Sequence, residues 1–410
     1  MDVVELEVGA VAHGGHCVAR LEGEGRGRVV FVRHALPGER VRARLVEAAP
    51  EARYWRAEAV EVLEASPDRV ASPWPEAGPG GVGGADLAHV ALPAQRRWKA
   101  AVVAEQLARL AGVEREVEVE AAPGEEERGG LRWRTRIELS VDAEGRAGMR
   151  RVRSHEVVPL RSMPLAHERI EELGLFERRW PAGSRVEAVA PSLGDPVVLV
   201  DGAPWRGGRP DSRPNARRAV QERVLVAERE LRYRVAAAGF WQVHREAPGV
   251  LVAAVLEAVG DVTGARLLDL YSGAGLLTVP LAHAVGERGS VLAVEGDARA
   301  VRDARRNVHG LGQVRLVEGE VTRTLVDQVG RLRAEVVVLD PPRQGAGRTA
   351  VAAIAATGAR RVVYVACDPA ALARDVGYLQ GQGFALTALR AFDLFPMTHH
   401  VECVAVLDRV

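Results

Sequence analysis

Residues 362–375 read VVYVACDPAALARD, and residues 336–347, shortly before them, read VVVLDPPRQGAG. Each is a short β-branched run that breaks into a polar, proline-containing turn, the pattern of a buried parallel strand delivering side chains to the edge of a sheet. One turn offers the carboxylate of Asp340, the other the thiol of Cys367. With Asp368, Pro369 and a helix predicted from Ala370 onward, Cys367 falls near a helix N-terminus, where thiolate is favoured over thiol. A cysteine alone in such a place reads first as a small core residue. Its neighbours shift that reading.

Outward from these turns, strand and helix patterns alternate from residue 235 to the C-terminus. VLVAAVLEAVG (250–260) reads as a helix, ARLLDLYSGAGLLTVPLAHAVG (265–286) as strand, glycine turn and helix, and SVLAVEGDARAVRDARRNVHG (290–310) repeats strand then helix. VRLVEGE (314–320) and HHVECVAVLD (399–408) supply further strands. Such alternation predicts an α/β fold with an open, mostly parallel sheet that binds ligands at the carboxyl ends of its strands. Asp269, followed by Gly273 and Gly275 at a helix start, lets a ligand approach the backbone closely. Glu295 ends the next strand, where an acid grips ribose hydroxyls in dinucleotide sites. The turn alone does not separate an NAD site from an S-adenosylmethionine site. Thr278 stands where the third glycine of a dinucleotide fingerprint would fall, and DPP at 340–342 resembles the motif of nucleic-acid methyltransferases. Both favour S-adenosylmethionine.

The 410 residues exceed one ordinary core, and 47% hydrophobic with 27% charged residues is a globular composition, so two or three domains are expected. The formal net charge is +0, so binding of a polyanion has to come from local asymmetry. Lys99 is the single lysine. Cys17, Cys367 and Cys403 lie far apart without metal-ligand spacing, which predicts no metal site and a reducing compartment. No apolar run approaches the roughly 18 to 20 residues of a membrane span, and the acidic start MDVVELEV is unlike a signal peptide, so a cytoplasmic location is expected.

Residues 1–64 alternate in period two with glycine punctuation and predict a small β-barrel. Residues 65–92 are rich in proline and glycine and read as loop. Residues 93–111 place Trp98, Val102, Val103, Leu107 and Leu110 at helical spacing, an amphipathic helix expected to pack on the catalytic domain. In LRWRTRIELS (131–140), Arg132, Arg134 and Arg136 would share one strand face with Trp133 on the other, and Arg150, Arg151 and Arg153 follow. This is the candidate RNA-backbone surface. Residues 186–234 continue the strand pattern and complete a central β-rich domain. The expected boundaries are 1–64, 65–234 and 235–410.

The set FWQV (240–243), DLYSGAG (269–275), DPPRQGAG (340–347), ACDPAALARD (366–375) and HHVE (399–402) resembles the RNA uracil-5-methyltransferase family. The glycine-rich hairpin leading into Phe31, Val32, Ala35, Pro37, Gly38 and Glu39 resembles a TRAM domain, an OB-like RNA-binding module. The resemblance implies a Rossmann-like methyltransferase domain preceded by that barrel and a central α+β domain. It implies Cys367 as nucleophile, Glu402 as proton acceptor, and Gln242, Tyr271, Glu295, Asp340 and, less directly, Glu320 as contacts to S-adenosylmethionine alongside Gly273 and Gly275. The last strand, starting at Glu402, runs antiparallel in this fold and brings that acid to the edge carrying Asp340 and Cys367. The implied reaction is methylation of uridine carbon 5 in RNA, with 23S rRNA favoured over tRNA by the TRAM domain alone, by a protein expected to be a monomer.

Two departures stand out. Many relatives hold an iron-sulfur cluster on four cysteines, and here those positions are Trp74, Val82, Ala85 and Met163, so no cluster is expected. His244 follows the FWQV run where relatives often have Asn. Competing readings are a DPP-type amino-methyltransferase, from which Arg343 departs by replacing the usual aromatic after DPP, and a non-catalytic RNA-binding factor.

Overall fold

The computed structural model describes residues 2–21, 27–328 and 331–410. Residues 22–26, within the expected glycine-rich hairpin, lie outside them. The N-terminal strands β1 (Val3–Ala12), β2 (His16–Arg20), β3 (Val29–Arg33), β4 (Arg40–Glu47) and β5 (Tyr54–Glu64) close into a barrel in the order β1-β2-β3-β5-β4. Period-two alternation puts Val30, Val32, Val41 and Ala43 inside it, all fully buried.

Helix α1 (Leu92–Ala111) has a proline in its first turn and ends where Gly112 turns left-handed at φ 63°. It lies between two cores. Trp98 and Val102 pack into the barrel, whereas Val103 and Leu107 pack into the catalytic sheet layer. The short strand β6 (Val119–Ala121) then pairs parallel with a C-terminal strand at the edge of the catalytic sheet. Residues 92–121, which the sequence pattern places in the central domain, thus contribute a helix and a strand to the catalytic layer.

The central domain is a seven-stranded sheet. Its strands are β7 (Arg136–Val141), β8 (Ala147–Arg150), β9 (Val157–Pro159), β10 (Arg185–Val189), β11 (Val197–Val200), β12 (Ala203–Arg206) and β13 (Arg209–Pro210), with the short helix α2 (Glu168–Glu171) before β10. Trp74, Val82, Ala85 and Met163 come together in its apolar core. These four side chains carry no thiolate, so the donor set does not fit an iron-sulfur cluster. The hairpin β14 (Ala219–Val226) and β15 (Arg229–Ala236) stands apart from this sheet, and Val220, Val224, Tyr233 and Val235 pack into the catalytic core.

The catalytic domain follows as α3 (Ala247–Val259), β16 (Arg266–Leu270), α4 (Thr278–Val285), β17 (Ser290–Glu295), α5 (Ala298–Asn307), β18 (Val314–Glu318), α6 (Val321–Asp327), β19 (Val336–Leu339), α7 (Gly347–Ala356), β20 (Arg361–Ala366), α8 (Pro369–Gln380), β21 (Phe384–Asp393) and β22 (Glu402–Arg409). Its sheet runs β18-β17-β16-β19-β20-β22-β21-β6. The strands from β18 to β20 are parallel and β22 is antiparallel to both neighbours. The near-continuous apolar runs of β19 and β20 are buried throughout, as strands covered on both faces must be. No described helix is long and apolar enough to cross a membrane.

Candidate active site

The carboxyl ends of β16, β17, β19 and β20 and the start of β22 meet at one edge of the catalytic sheet. Ala366 pairs with Cys403, so the next residue on each strand outward from that pair, Cys367 and Glu402, stand beside one another at the rim. Alternation turns Cys403 into the packed layer, where it is fully buried. Asp340 follows β19, the neighbour of β20. Cys367, Glu402 and Asp340 all line a single cavity of about 1090 Å³.

The other wall of the cavity comes from the glycine turn. Tyr271 takes a left-handed backbone at φ 60° and Gly273 does so at φ 56°, which bends the chain sharply where it lines the cavity. A Cβ on Gly273 would meet nothing within 4 Å, so the space beside it is open to a ligand. Glu295 accepts the Gly273 N–H at 2.8 Å and the Asp297 N–H at 2.7 Å, which locks the carboxylate at the mouth of the turn while leaving lone pairs to spare. The hydroxyl of Ser272 is buried there without a partner. Gln242 reaches the cavity from the segment after β15. These groups fit a nucleoside-bearing cofactor. Two expected contacts lie elsewhere: Gly275 sits behind the turn, with its N–H on Ser272, and Glu320 caps α6 by accepting the N–H groups of Thr322 and Arg323, outside the cavity wall.

Electrostatics correct one expectation. The Cys367 thiol is not a thiolate at rest, because burial and then the charges of Glu402 and Asp340 push it up to about 12, against the lowering pull of Arg343. The N-terminus of α8 is already capped by Asp368, whose carboxylate accepts the Ala371 N–H at 2.8 Å and adds a further charge beside the thiol. Burial raises the Asp340 carboxyl to about 7. Burial, then Asp340, raises Glu402 well above the ordinary carboxylate range, with Arg343 opposing. Deeper in, Asp269 accepts a hydrogen bond from Thr278 at 2.5 Å, yet burial still lifts it to about 7.

The arginine surface also needs correction. β7 begins only at Arg136, and Arg132 has a left-handed backbone at φ 55°, so the three arginines do not share a strand face. Arg132 is exposed, whereas Arg136 is buried and donates to the carbonyls of Ala237 and Gly239 and to Glu222. It ties the central sheet to the turn that leads into the FWQV run. Arg134 alone of the three lines the cavity. Arg150 is exposed at the end of β8, Arg151 binds Glu156 and the Gly80 carbonyl, and Arg153 reaches Glu47 of the barrel. His244 stacks on Trp133 at 5.6 Å and accepts the Glu246 N–H, which makes it a packing residue between the central and catalytic domains.

Groups without an assigned role in the sequence complete the cavity. Arg343 donates to His400 at 3.3 Å, His399 bonds Asp86 at 2.8 Å, and Phe240 stands three-quarters exposed at the mouth.

Comparison with known proteins agrees with this architecture. Residues 215–410 match the family model described as tRNA (Uracil-5-)-methyltransferase, and residues 2–60 match the TRAM domain. An uncharacterized RNA methyltransferase of Streptomyces coelicolor is 47% identical over 98% of this chain and 92% of its own length. One of Bifidobacterium longum is 44% identical over 99% and 96%. The crystal structure of the Pyrococcus abyssi tRNA (uracil-54, C5)-methyltransferase in complex with S-adenosyl-L-homocysteine superposes with a TM-score of 0.70 over 98% of this chain and all of that one, at 22% identity, a likeness of fold. The family-model matches and the near full-length relatives show that the chain belongs to the uracil-5-methyltransferase family of S-adenosylmethionine-dependent RNA methyltransferases and carries an N-terminal TRAM domain.

Proposed function

We propose that the protein methylates carbon 5 of a uridine in RNA, with 23S rRNA as the substrate, through a covalent bond from Cys367 to carbon 6, acting as a monomer in the cytoplasm. The observation that carries this reading is the register that sets Cys367 beside Glu402 on one cavity with Asp340. Carbon 5 of uracil is a weak nucleophile toward a sulfonium methyl. Addition of sulfur at carbon 6 makes the ring an enolate whose carbon 5 is electron-rich, so one hard step becomes easier ones. S-adenosylmethionine supplies the electrophilic methyl. Two protons move in each turnover: the thiol gives its own up to solvent as sulfur adds and regains one when sulfur leaves, and carbon 5 gives one up after methyl transfer, in a cavity that holds two carboxylates of raised pKa. Glu402 takes the carbon 5 proton, and loss of that proton expels the Cys367 sulfur and restores the aromatic ring. Asp340 holds the uracil edge or the donor. The base reaches the thiol by leaving its stack, with Phe240 as a stacking surface and Arg134 and Arg343 as cations for the backbone.

A second reading, a tRNA uridine as target, has in its favour the substrate in the name of the Pyrococcus abyssi enzyme. Mapping 5-methyluridine in rRNA and tRNA from a deletion strain separates the two. Cys367→Ala should bind S-adenosylmethionine within about twofold of wild type and lose at least about a thousandfold in methyl transfer. RNA containing 5-fluorouridine should trap wild-type protein as a covalent adduct through Cys367. Turnover by Cys367→Ala at the normal rate would exclude the covalent route.

A further inference from the structure

The barrel meets the catalytic domain through polar contacts that end on the two turns carrying Cys367 and Glu402. From the turn between β1 and β2, His13 Nε2 lies 3.0 Å from Asp368 Oδ2. Asp368 is the residue after Cys367, and its other oxygen caps α8. From the end of β3, Arg33 pairs with Asp86, and the second oxygen of Asp86 bonds His399 Nδ1 at 2.8 Å. His399 packs on His400 at 4.1 Å, His400 meets Arg343, and Glu402 is three residues beyond His399. The approach is close: a Cβ on Gly15 would stand 3.2 Å from both Asp86 and His399. The side chains of Arg33, Asp86 and His399 are 15%, 12% and 24% exposed, so this contact is an interior joint rather than a surface pairing.

Much of the barrel's positive charge is matched locally. Arg40, Arg42, Arg44 and Arg56 are paired with Glu64, with Glu5 and Glu61, with Glu58, and with Glu47. Cations already matched by carboxylates in this way add little to phosphate binding.

We propose that the N-terminal barrel is a working part of the active site, in which His13 and the Arg33–Asp86–His399 relay are positioning residues that hold the turns bearing Cys367 and Glu402. This rests on the roles assigned to those two residues under the proposed function. A barrel that only captured RNA would set affinity. A barrel that holds the two reacting groups sets the rate once RNA is bound, because small displacements of reacting groups are costly.

The test uses the full chain and the RNA identified by mapping, in single-turnover methyl transfer at saturating RNA and S-adenosylmethionine. His13→Ala and Asp86→Asn should each lower that rate about tenfold with RNA affinity within about twofold of wild type. His13→Gln, which keeps a nitrogen donor near the Nε2 position, should recover most of the rate. Unchanged saturating rates with weakened RNA binding would overturn the proposal. Amide hydrogen exchange on the proteins without RNA gives a readout independent of turnover: residues 397–402 should exchange faster in Asp86→Asn, and unchanged exchange there overturns the relay even if no RNA is methylated by wild type. Cofactor affinity equal to wild type shows that each variant is folded. If Asp86→Asn does not fold, Arg33→Met takes its place in both measurements: a slower saturating rate and faster exchange at 397–402 support the relay, and wild-type values of both overturn it.

Discussion

Cys367 carries a thiol whose acidity is suppressed first by burial and then by the charges of Glu402 and Asp340. Because sulfur adds as thiolate and the Cys367 thiol is pushed up to about 12, the rate of methyl transfer should rise roughly tenfold per unit of pH across the neutral range, without a plateau near 7, in a pH–rate profile. Asp340 also has a stability consequence. Its carboxyl titrates at about 7 in the folded chain against 3.8 ordinarily, so the folded state holds the proton more tightly than the unfolded state. Its contribution is fully present below about 4 and is lost as pH rises to about 7. Asp340→Asn should thus stabilise the protein at pH 8, on the order of 1–3 kcal/mol, with a smaller gain at pH 4.5, while reducing activity; thermal melts at the two pH values check the sign. The residue pattern made Cys367 and Asp340 legible because strand-end turns in an α/β chain converge on one edge, whereas Glu402 was legible only through the family resemblance. It could not reveal the raised thiol, since burial and the distance between carboxylates belong to the folded chain.

At the scale of elements, α1 joins the barrel core to the catalytic core. Its inward face carries Lys99 and Gln95, one turn apart and both without solvent exposure. Lys99 donates to Asp393 at 2.5 Å and to the Phe395 carbonyl, and Gln95 accepts the Met397 N–H at 2.7 Å. These bonds hold the segment between β21 and β22 that delivers His399, His400 and Glu402. Lys99→Met leaves Asp393 charged and unpaired in the interior and should cost about 3–5 kcal/mol by chemical denaturation. The double variant Lys99→Met/Asp393→Leu should recover most of that loss. Helical spacing announced α1, but it assigned Lys99 no place in the core, because a cation is ordinarily solvated and only its partner 294 positions away makes burial tolerable. Arg136 departs from its expected place for the same reason. Arg-x-Arg-x-Arg alternation looks identical whether the face meets solvent or a neighbouring domain, and Glu222 decides it. Strand β6 escaped notice because three residues carry too little pattern to separate a sheet edge from a loop.

For the molecule as a whole, a net charge of +0 leaves RNA affinity to local groups of arginines, and Arg134 is one that lines the cavity. Arg134→Ala should weaken RNA binding across sequences and reduce the slope of log affinity against log salt by about 1, measured by titration at several ionic strengths. The apolar quartet of Trp74, Val82, Ala85 and Met163 carries a second expectation at this scale: exposure to air and to a strong iron chelator should leave melting temperature and activity unchanged, whereas iron loss accompanied by unfolding would contradict the packing described. By itself the sequence indicated the barrel and the open catalytic sheet, which depend on local periodicity and on turns at fixed places along the chain, and through its motifs it indicated the family. Only the tertiary structure decided which of the three arginines lines the cavity, where Lys99 goes, and that the barrel abuts the catalytic edge through His13 and Asp86. Those outcomes depend on which distant groups meet and how much water they lose in meeting, and no local pattern encodes either.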